Sequence, residues 1–69
     1  MEPKKIDARG LSCPQPVLLA MEAVKQNPGL IEITVDNPTA RENVTRFLKK
    51  SGKAVSIRED GADIILTAE

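Results

Sequence analysis

The spacing of apolar residues changes repeatedly along this chain, and the order of those changes restricts the folds that it can adopt. Apolar residues recur at helical spacing from Pro14 to about Asn27 and again from Pro38 to about Ser51. Shorter segments with alternating apolar and polar residues precede, separate and follow these stretches, and they contain Ile6, Ile31–Val35, Val55–Ile57 and Ile64–Thr67. The pattern therefore predicts the element order β-α-β-α-β-β.

This order favours an α/β fold of the α+β two-layer sandwich type. Two right-handed crossovers place both helices on the same face of a four-stranded mixed sheet. The opposite face is expected to be at least partly exposed, with polar outward positions and one apolar exception that could mark a contact surface: Glu32, Thr34, Ser56, Arg58 and, as the exception, Ile65. A chain of 69 residues makes one domain, 1–69, with a thin core. An active group should therefore lie at an edge or in a shallow groove.

Capping residues and turns set the predicted ends of the helices. Asn37 is the expected N-cap of the second helix, and Pro14 takes the first position of the first helix. Gly52 is expected in the left-handed conformation after the second helix, and Asp60-Gly61 predicts a hairpin turn. The predicted inner faces are Val17, Leu18, Ala20, Met21 and Val24 in the first helix, and Ala40, Val44, Phe47, Leu48 and Ser51 in the second.

Composition argues against several classes of function. Ten basic and ten acidic residues leave a net charge of zero, and Phe47 is the only aromatic residue. The balanced charge and the lack of aromatic platforms argue against direct binding of nucleic acid. No apolar run approaches the roughly 20 residues of a membrane span, and the first residues lack the apolar stretch of a signal peptide. We therefore expect no membrane association and a cytoplasmic location.

The single cysteine, Cys13, lies within GLSCPQPVLLA (10–20), between a glycine turn and two prolines. It falls at or next to the start of the first helix, where backbone N–H groups lack helical partners and the helix dipole favours negative charge. A thiolate is stabilised there, so its pKa is expected below the roughly 8.5 of a free cysteine. Pro14 and Pro16 make the first turn rigid, and Arg9 on the preceding loop could add positive charge.

The residue types that the chain lacks narrow the chemistry further. Without histidine there is no Cys-His dyad, and with one cysteine there is no intrachain disulfide or dithiol motif. No zinc or iron–sulfur site is expected either, and no cofactor. What remains is a thiol that takes up something from another molecule, such as the outer sulfur of a protein persulfide. The alternative is that Cys13 is a small, inert, buried hydrophobe.

The segment IDARGLSCPQPV (6–17) resembles the signature of the TusA/SirA-like sulfur-carrier (sulfurtransferase) family, with its Cys-Pro-x-Pro (CPxP) motif. The element order over the whole chain also resembles that family's fold, which is similar to the C-terminal domain of translation initiation factor three. VDN (35–37), ENV (42–44) and RF (46–47) are closer still to the YedF-like branch, whose members include a domain linked to selenium metabolism.

The resemblance implies a carrier rather than a free-standing turnover enzyme. Cys13 would accept sulfur as a persulfide from a cysteine desulfurase or another persulfide donor. It would then pass the sulfur to an acceptor protein in tRNA thiolation, cofactor synthesis or sulfur and selenium metabolism. The family pattern is matched at Asp7, Gly10, Pro14 and Pro16, with Gln15 inside the motif. The chain departs from the tRNA-thiolation carrier at Ser12, where that branch usually has a basic residue.

A second group of residues is expected near the cysteine. If the first two strands are parallel neighbours, their carboxyl ends share an edge, and Asp36, Asn37 and Arg41 would lie near Cys13 as a docking rim. Taken singly, Asn37 is explained as a helix cap and Arg41 as a solvated charge. The competing function is a non-catalytic, regulatory module that binds protein or RNA, with a structural Cys13. A basic cluster at Arg46, Lys49, Lys50 and Lys53 is explained mainly by compensation of the helix dipole.

Overall fold

The computed structural model describes residues 4–11, 14–26 and 29–69. The elements follow the predicted order: β1 Lys4–Asp7, α1 Gln15–Gln26, β2 Ile31–Val35, α2 Pro38–Lys50, β3 Val55–Asp60 and β4 Asp63–Ala68. Helix α1 begins one residue later than expected, and its predicted end at Asn27 lies outside the described residues. No helix in the described part of the chain is long and apolar enough to cross a membrane.

The four strands form one mixed sheet in the order β1-β2-β4-β3. Strand β1 runs parallel to β2, while β4 is antiparallel to both of its neighbours, β2 and β3. Strands β2 and β3 are therefore parallel to each other, and the connection through α2 passes across β4. The two helices pack against each other and against the sheet, which confirms the two-layer architecture.

The core lies between the sheet and the two helices. Strand β2 supplies the largest share, because Ile31, Ile33 and Val35 are fully buried while the residues between them are half-buried. Small residues of α1 and larger residues of α2 cover these side chains. The buried apolar residues outside β2 are Ala8, Ala20, Ala23, Ala40, Val44, Leu48, Leu66 and Ala68.

Helix α1 is turned differently from the prediction. Its buried residues are Pro16, Ala20 and Ala23, whereas Leu18 and Met21 are 53% and 48% exposed. The prediction that Leu18 and Met21 face the core is therefore wrong. The alanine row lets the helix backbone come close to its neighbours, and at about 100° per residue this orientation turns Leu18 and Met21 toward solvent.

Helix α2 matches the prediction at nearly every position. The Asn37 side chain accepts a hydrogen bond from the Ala40 N–H at 2.7 Å, so Asn37 is the N-cap. Val44 and Leu48 are fully buried, and Phe47 is half-buried against the core. Ser51 is the exception, because it is exposed as the C-cap and its hydroxyl donates to the Phe47 carbonyl at 3.0 Å.

One of the two glycine turns lies where it was predicted, and the other is shifted by one residue. Gly52 follows α2 with φ +86°, as expected for a left-handed residue after a helix. The hairpin between β3 and β4 has Gly61 and Ala62 at its centre, one residue later than predicted, and Gly61 has φ +63°. A glycine at the first central position is typical of a type II′ hairpin turn.

The sheet face away from the helices is partly exposed, as predicted. Glu32, Thr34 and Ile65 are half-buried there, and Ser56 and Arg58 are exposed.

Strand β3 forms one edge of the sheet, so its Ile57 side chain remains 40% exposed.

Candidate functional site

Ser12 and Cys13 lie outside the described residues, so the site is defined by the residues on either side of them. The Pro14 carbonyl accepts a hydrogen bond from the Leu18 N–H at 3.0 Å, which is the first helical bond of α1. Pro14 therefore occupies the capping position rather than the predicted first helical position. Cys13 is the residue directly before this cap in the sequence.

The beginning of α1 offers backbone donors but few competing groups. Pro16 is buried and has no N–H, and the first turn contains no acidic residue. Pro14 and Gln15 are exposed. The positive end of the helix dipole is thus not offset by a carboxylate within the first turn, and an anion close to it would be stabilised.

Arg9, on the loop after β1, is held by two carboxylates. Its side chain donates to both oxygens of Asp7, with Nε–Oδ1 at 2.9 Å and Nη2–Oδ2 at 3.0 Å. A third bond joins Nη1 to Oδ2 of Asp63 at 3.2 Å. The hydrogen bonds from Arg9 lower the pKa of Asp7 from 3.8 to about 2, and Asp7 in turn raises the pKa of Arg9. The charge of Arg9 is therefore largely offset, and its effect on Cys13 stays a prediction.

Gly10 and Asp36 connect the loop that leads to Cys13 with the end of β2. The Gly10 N–H donates to Oδ2 of Asp36 at 3.0 Å. Gly10 has φ +75°, a backbone conformation that residues other than glycine rarely adopt. The Ala8 N–H bonds the Thr34 carbonyl at 2.8 Å and continues the pairing of β1 with β2. The carboxyl ends of the two parallel strands therefore meet at one edge of the sheet, with Asp36 against the loop that leads to Cys13.

The remaining residues of the predicted rim have other roles. Asn37 caps α2, and its amide nitrogen lies 3.5 Å from Oδ1 of Asp36. Arg41 lines a groove between α2 and β3, together with Ile57. This groove lies beside β3, at the opposite edge of the sheet from β1. The proximity of Arg41 to Cys13 stays a prediction.

Two features of the site were missed in the sequence. Asp63 holds Arg9 although it lies 54 positions further along the chain, and only the strand register could have shown this proximity. The exposed pair of Leu18 and Met21 was missed because large apolar residues outweigh alanines in a hydrophobic pattern. This pair lies on α1 shortly after its start.

Comparison with known proteins finds a sulfurtransferase family and relatives that are named as sulfur carriers. The family model described as Sulfurtransferase TusA matches residues 4–68. A proposed sulfur carrier protein of Archaeoglobus fulgidus is 36% identical over 52 residues, which cover 72% of this chain and 68% of that protein. A proposed sulfur carrier protein of Methanocaldococcus jannaschii is 37% identical over 59 residues, or 83% of this chain and 79% of that protein.

Two further comparisons agree with these. The sulfur carrier protein TusA of Pseudomonas fluorescens is 32% identical over 44 residues, which cover 61% of this chain and 53% of that protein. The crystal structure of a SirA-like protein from Desulfitobacterium hafniense superposes with a TM-score of 0.85 at 29% identity, covering 93% of this chain and 92% of that one. With the fold and the family match in agreement, the chain belongs to the TusA sulfurtransferase family.

Proposed function

We propose that this protein is a sulfur carrier and that the Cys13 thiol holds the sulfur as a persulfide. The relatives named as sulfur carriers support the general role. The observation that carries the assignment to Cys13 is its position directly before the cap of α1, in a first turn without acidic residues. A helix end of this kind favours the thiolate, which is the reactive form of cysteine.

The reaction is an exchange between two sulfur atoms. The Cys13 thiolate attacks the outer sulfur of a persulfide on the donor, and a new S–S bond forms on Cys13. The S–S bond of the donor breaks, and its inner sulfur leaves as a thiolate with the bonding electron pair. The outer sulfur keeps its proton, so the step needs no added oxidant or reductant. Transfer to an acceptor thiolate repeats the same exchange.

The hydrogen bonds before α1 fit this role. Asp36 holds Gly10, and Asp7 with Asp63 holds Arg9, so both residues of the turn before Cys13 are tied to the sheet. A reacting atom works best when it is held in one place relative to its partner. These anchors support a fixed approach to Cys13, and they give Asp7, Arg9, Gly10 and Asp36 a positioning role.

The exposed face of α1 supports contact with another protein close to Cys13. Leu18 and Met21 are three residues apart on the helix and therefore neighbours on its surface. Together they give α1 an apolar contact area beside its start that the core does not use. We propose that a cysteine desulfurase docks here as donor, and that a downstream protein later docks on the same face as acceptor.

Transfer of labelled sulfur tests this proposal. A cysteine desulfurase charged with ³⁵S-cysteine should label the wild-type chain in a reductant-sensitive bond, and Cys13→Ser should remain unlabelled. Leu18→Ser should label more slowly than the wild type while its fold is unchanged. Equal labelling of the wild type and Cys13→Ser, or no labelling of either, would contradict the proposal.

The competing function, a binding module with a structural Cys13, makes the opposite prediction in cells. For a carrier, Cys13→Ser abolishes the sulfur-dependent phenotype, and changes at Arg46 or Lys50 leave it nearly intact. For a binding module, Cys13→Ser keeps full activity, and changes at Arg41, Arg46 and Lys50 abolish it.

A further inference from the structure

A groove between α2 and β3 lies beside the edge of the sheet that is opposite to β1. It has a volume of about 510 Å³, and its lining includes Thr45 and Lys49 of α2 and Ile57 of β3. Strand β3 is an edge strand, whereas β1 lies at the other edge of the sheet. The sulfur-carrier role described above therefore leaves this groove unused.

The hydrogen bonds at the base of the hairpin show which backbone groups of β3 have no partner within residues 4–11, 14–26 and 29–69. Ala54 and Glu69 exchange two backbone hydrogen bonds, at 3.2 Å and 3.1 Å. In an antiparallel ladder such pairs alternate with pairs that do not bond each other. With the register of β3 and β4, the N–H and C=O groups of Val55 and Ile57 therefore point away from β4, toward the open edge.

This half of β3 lacks the usual protection of an edge. Exposed edge strands are commonly blocked by charged residues, and Arg58–Asp60 provide these at the far end of β3. The other half, Val55–Ile57, carries no charge. The side chain of Ile57 is 40% exposed beside the groove, so free backbone groups and an apolar contact lie together.

The charge around the groove indicates the chemistry of a partner. Arg41, Arg46 and Lys49 line it from α2, and Glu42 is the single carboxylate in the lining, paired with Arg46 at 3.0 Å. Three cations against one carboxylate leave an excess of two positive charges. The excess lies beside a neutral strand edge, so it favours a chain that carries carboxylates.

We propose that this groove binds an extended, acidic segment of a partner protein, which adds to the sheet along Val55–Ile57. The main chain of the segment pairs with the free N–H and C=O groups, one of its apolar side chains contacts Ile57, and its carboxylates face Arg41 and Lys49. In such strand addition the main-chain bonds supply affinity and the side-chain contacts supply specificity. A second copy of this chain fits less well, because pairing two β3 edges brings two cationic grooves together.

The first test uses synthetic peptides with Cys13→Ser protein, so that its outcome is independent of sulfur transfer. The probe carries Val or Ile and Asp or Glu together at alternate positions, with Ser or Thr between them, so that both kinds of side chain lie on the face toward α2. The control peptide has Lys in place of the acids. We expect the acidic peptide to shift the Val55 and Ile57 amide resonances and to slow their hydrogen exchange. Methylation of the peptide nitrogens whose N–H groups face β3 should abolish binding. Methylation of the alternate set of nitrogens, which point away from β3, should leave binding intact. Unchanged β3 amides, or equal binding of the basic peptide, would overturn the proposal.

The second test uses two neighbouring lysines of α2. Lys49 lines the groove and Lys50 does not, although both lie in the last turn of the helix. Lys49→Glu should weaken peptide binding by about threefold to tenfold, and Lys50→Glu by much less, because exposed charge contacts are short-ranged and modest. Equal losses for the two variants would contradict a site in the groove. Binding of a single-stranded RNA with the same dependence on Lys49 would also contradict the proposal. Self-association of the free chain through β3, measured by sedimentation, would contradict it as well.

Discussion

The two helices have nearly the same length and pack on the same sheet, but their sequences are arranged for different purposes. Helix α2 has a side-chain cap at Asn37, basic residues in its last turn, and its large residues Val44 and Leu48 in the core. Helix α1 has a proline at its capping position, and its core-facing row is Pro16, Ala20 and Ala23. Its larger residues Leu18 and Met21 are exposed.

This difference separates stability from function. Every feature of α2 named above stabilises a helix or a core. Neither helix has an acidic residue in its first turn, but the cap of α1 is a proline, which has no side-chain acceptor, and two apolar side chains of α1 remain in contact with water. These features of α1 stabilise neither the helix nor the core. They suit an anion at the helix start and a protein partner beside it, and both lie close to Cys13 in the sequence.

The largest expected effect on the free energy of unfolding comes from replacing a leucine by alanine, and the two helices should respond differently to this change. Leu48→Ala removes a fully buried side chain and should lower the free energy of unfolding by about 2–5 kcal/mol. Leu18→Ala changes an exposed position and should alter it by less than about 0.5 kcal/mol. Urea unfolding measures both values, and the labelling rate with a desulfurase should fall only for Leu18→Ala among variants that remain folded. Similar destabilisation by the two substitutions would contradict the comparison.

The cap of α2 gives the next largest effect. Asn37→Ala removes the acceptor of the 2.7 Å hydrogen bond from Ala40, and we expect a loss of about 1 kcal/mol in the free energy of unfolding. Asn37→Ser keeps an acceptor at the cap and should restore most of that loss. If alanine and serine are equally destabilising, the capping bond does not contribute as described.

Thr45 is a position where α2 can be improved. Its hydroxyl oxygen is buried and has no hydrogen-bond partner among the described residues. Thr45→Val keeps the shape and removes a polar group that is costly to bury unpaired, so the free energy of unfolding should rise by up to about 1 kcal/mol. A clear destabilisation in the same urea experiment would show that the hydroxyl is satisfied.

The smallest effect concerns the loop before α1 and depends on pH. Arg9 lowers the pKa of Asp7 from 3.8 to about 2, so the pair stabilises the fold when Asp7 is ionised in both states. This contribution is present above about pH 4 and is lost as the pH falls toward 2. Asp7→Asn should therefore be less stable than the wild type near neutral pH, and the two should converge in acid. The pair is exposed, so added salt should also reduce the difference.

The sequence predicted most of the fold because its apolar spacing, caps and turns act locally. Ile31, Ile33 and Val35 alternate as a half-buried strand should, and Asn37 is followed by a proline and an amphipathic segment. The rotation of α1 was not predictable in this way, because it depends on how closely Ala20 and Ala23 can approach the neighbouring elements.

Features that depend on contacts between residues far apart in the chain could not be predicted from the sequence either. The bond between Arg9 and Asp63 requires the register of β4, and the groove beside Ile57 requires knowledge of which strand lies at the edge. Asp36 bonds Gly10 because the carboxyl ends of parallel strands meet at one edge, and its proximity to Cys13 stays a prediction.

The most direct test of the account is the intact mass of the chain after incubation with a cysteine desulfurase and cysteine. We predict a gain of one sulfur atom, located on Cys13 by peptide mapping, removed by a thiol reductant and not found in Cys13→Ser. A chain that gains no sulfur from any desulfurase of its own organism, while its thiol remains free to alkylating reagents, would contradict the assignment of Cys13 as the carrier.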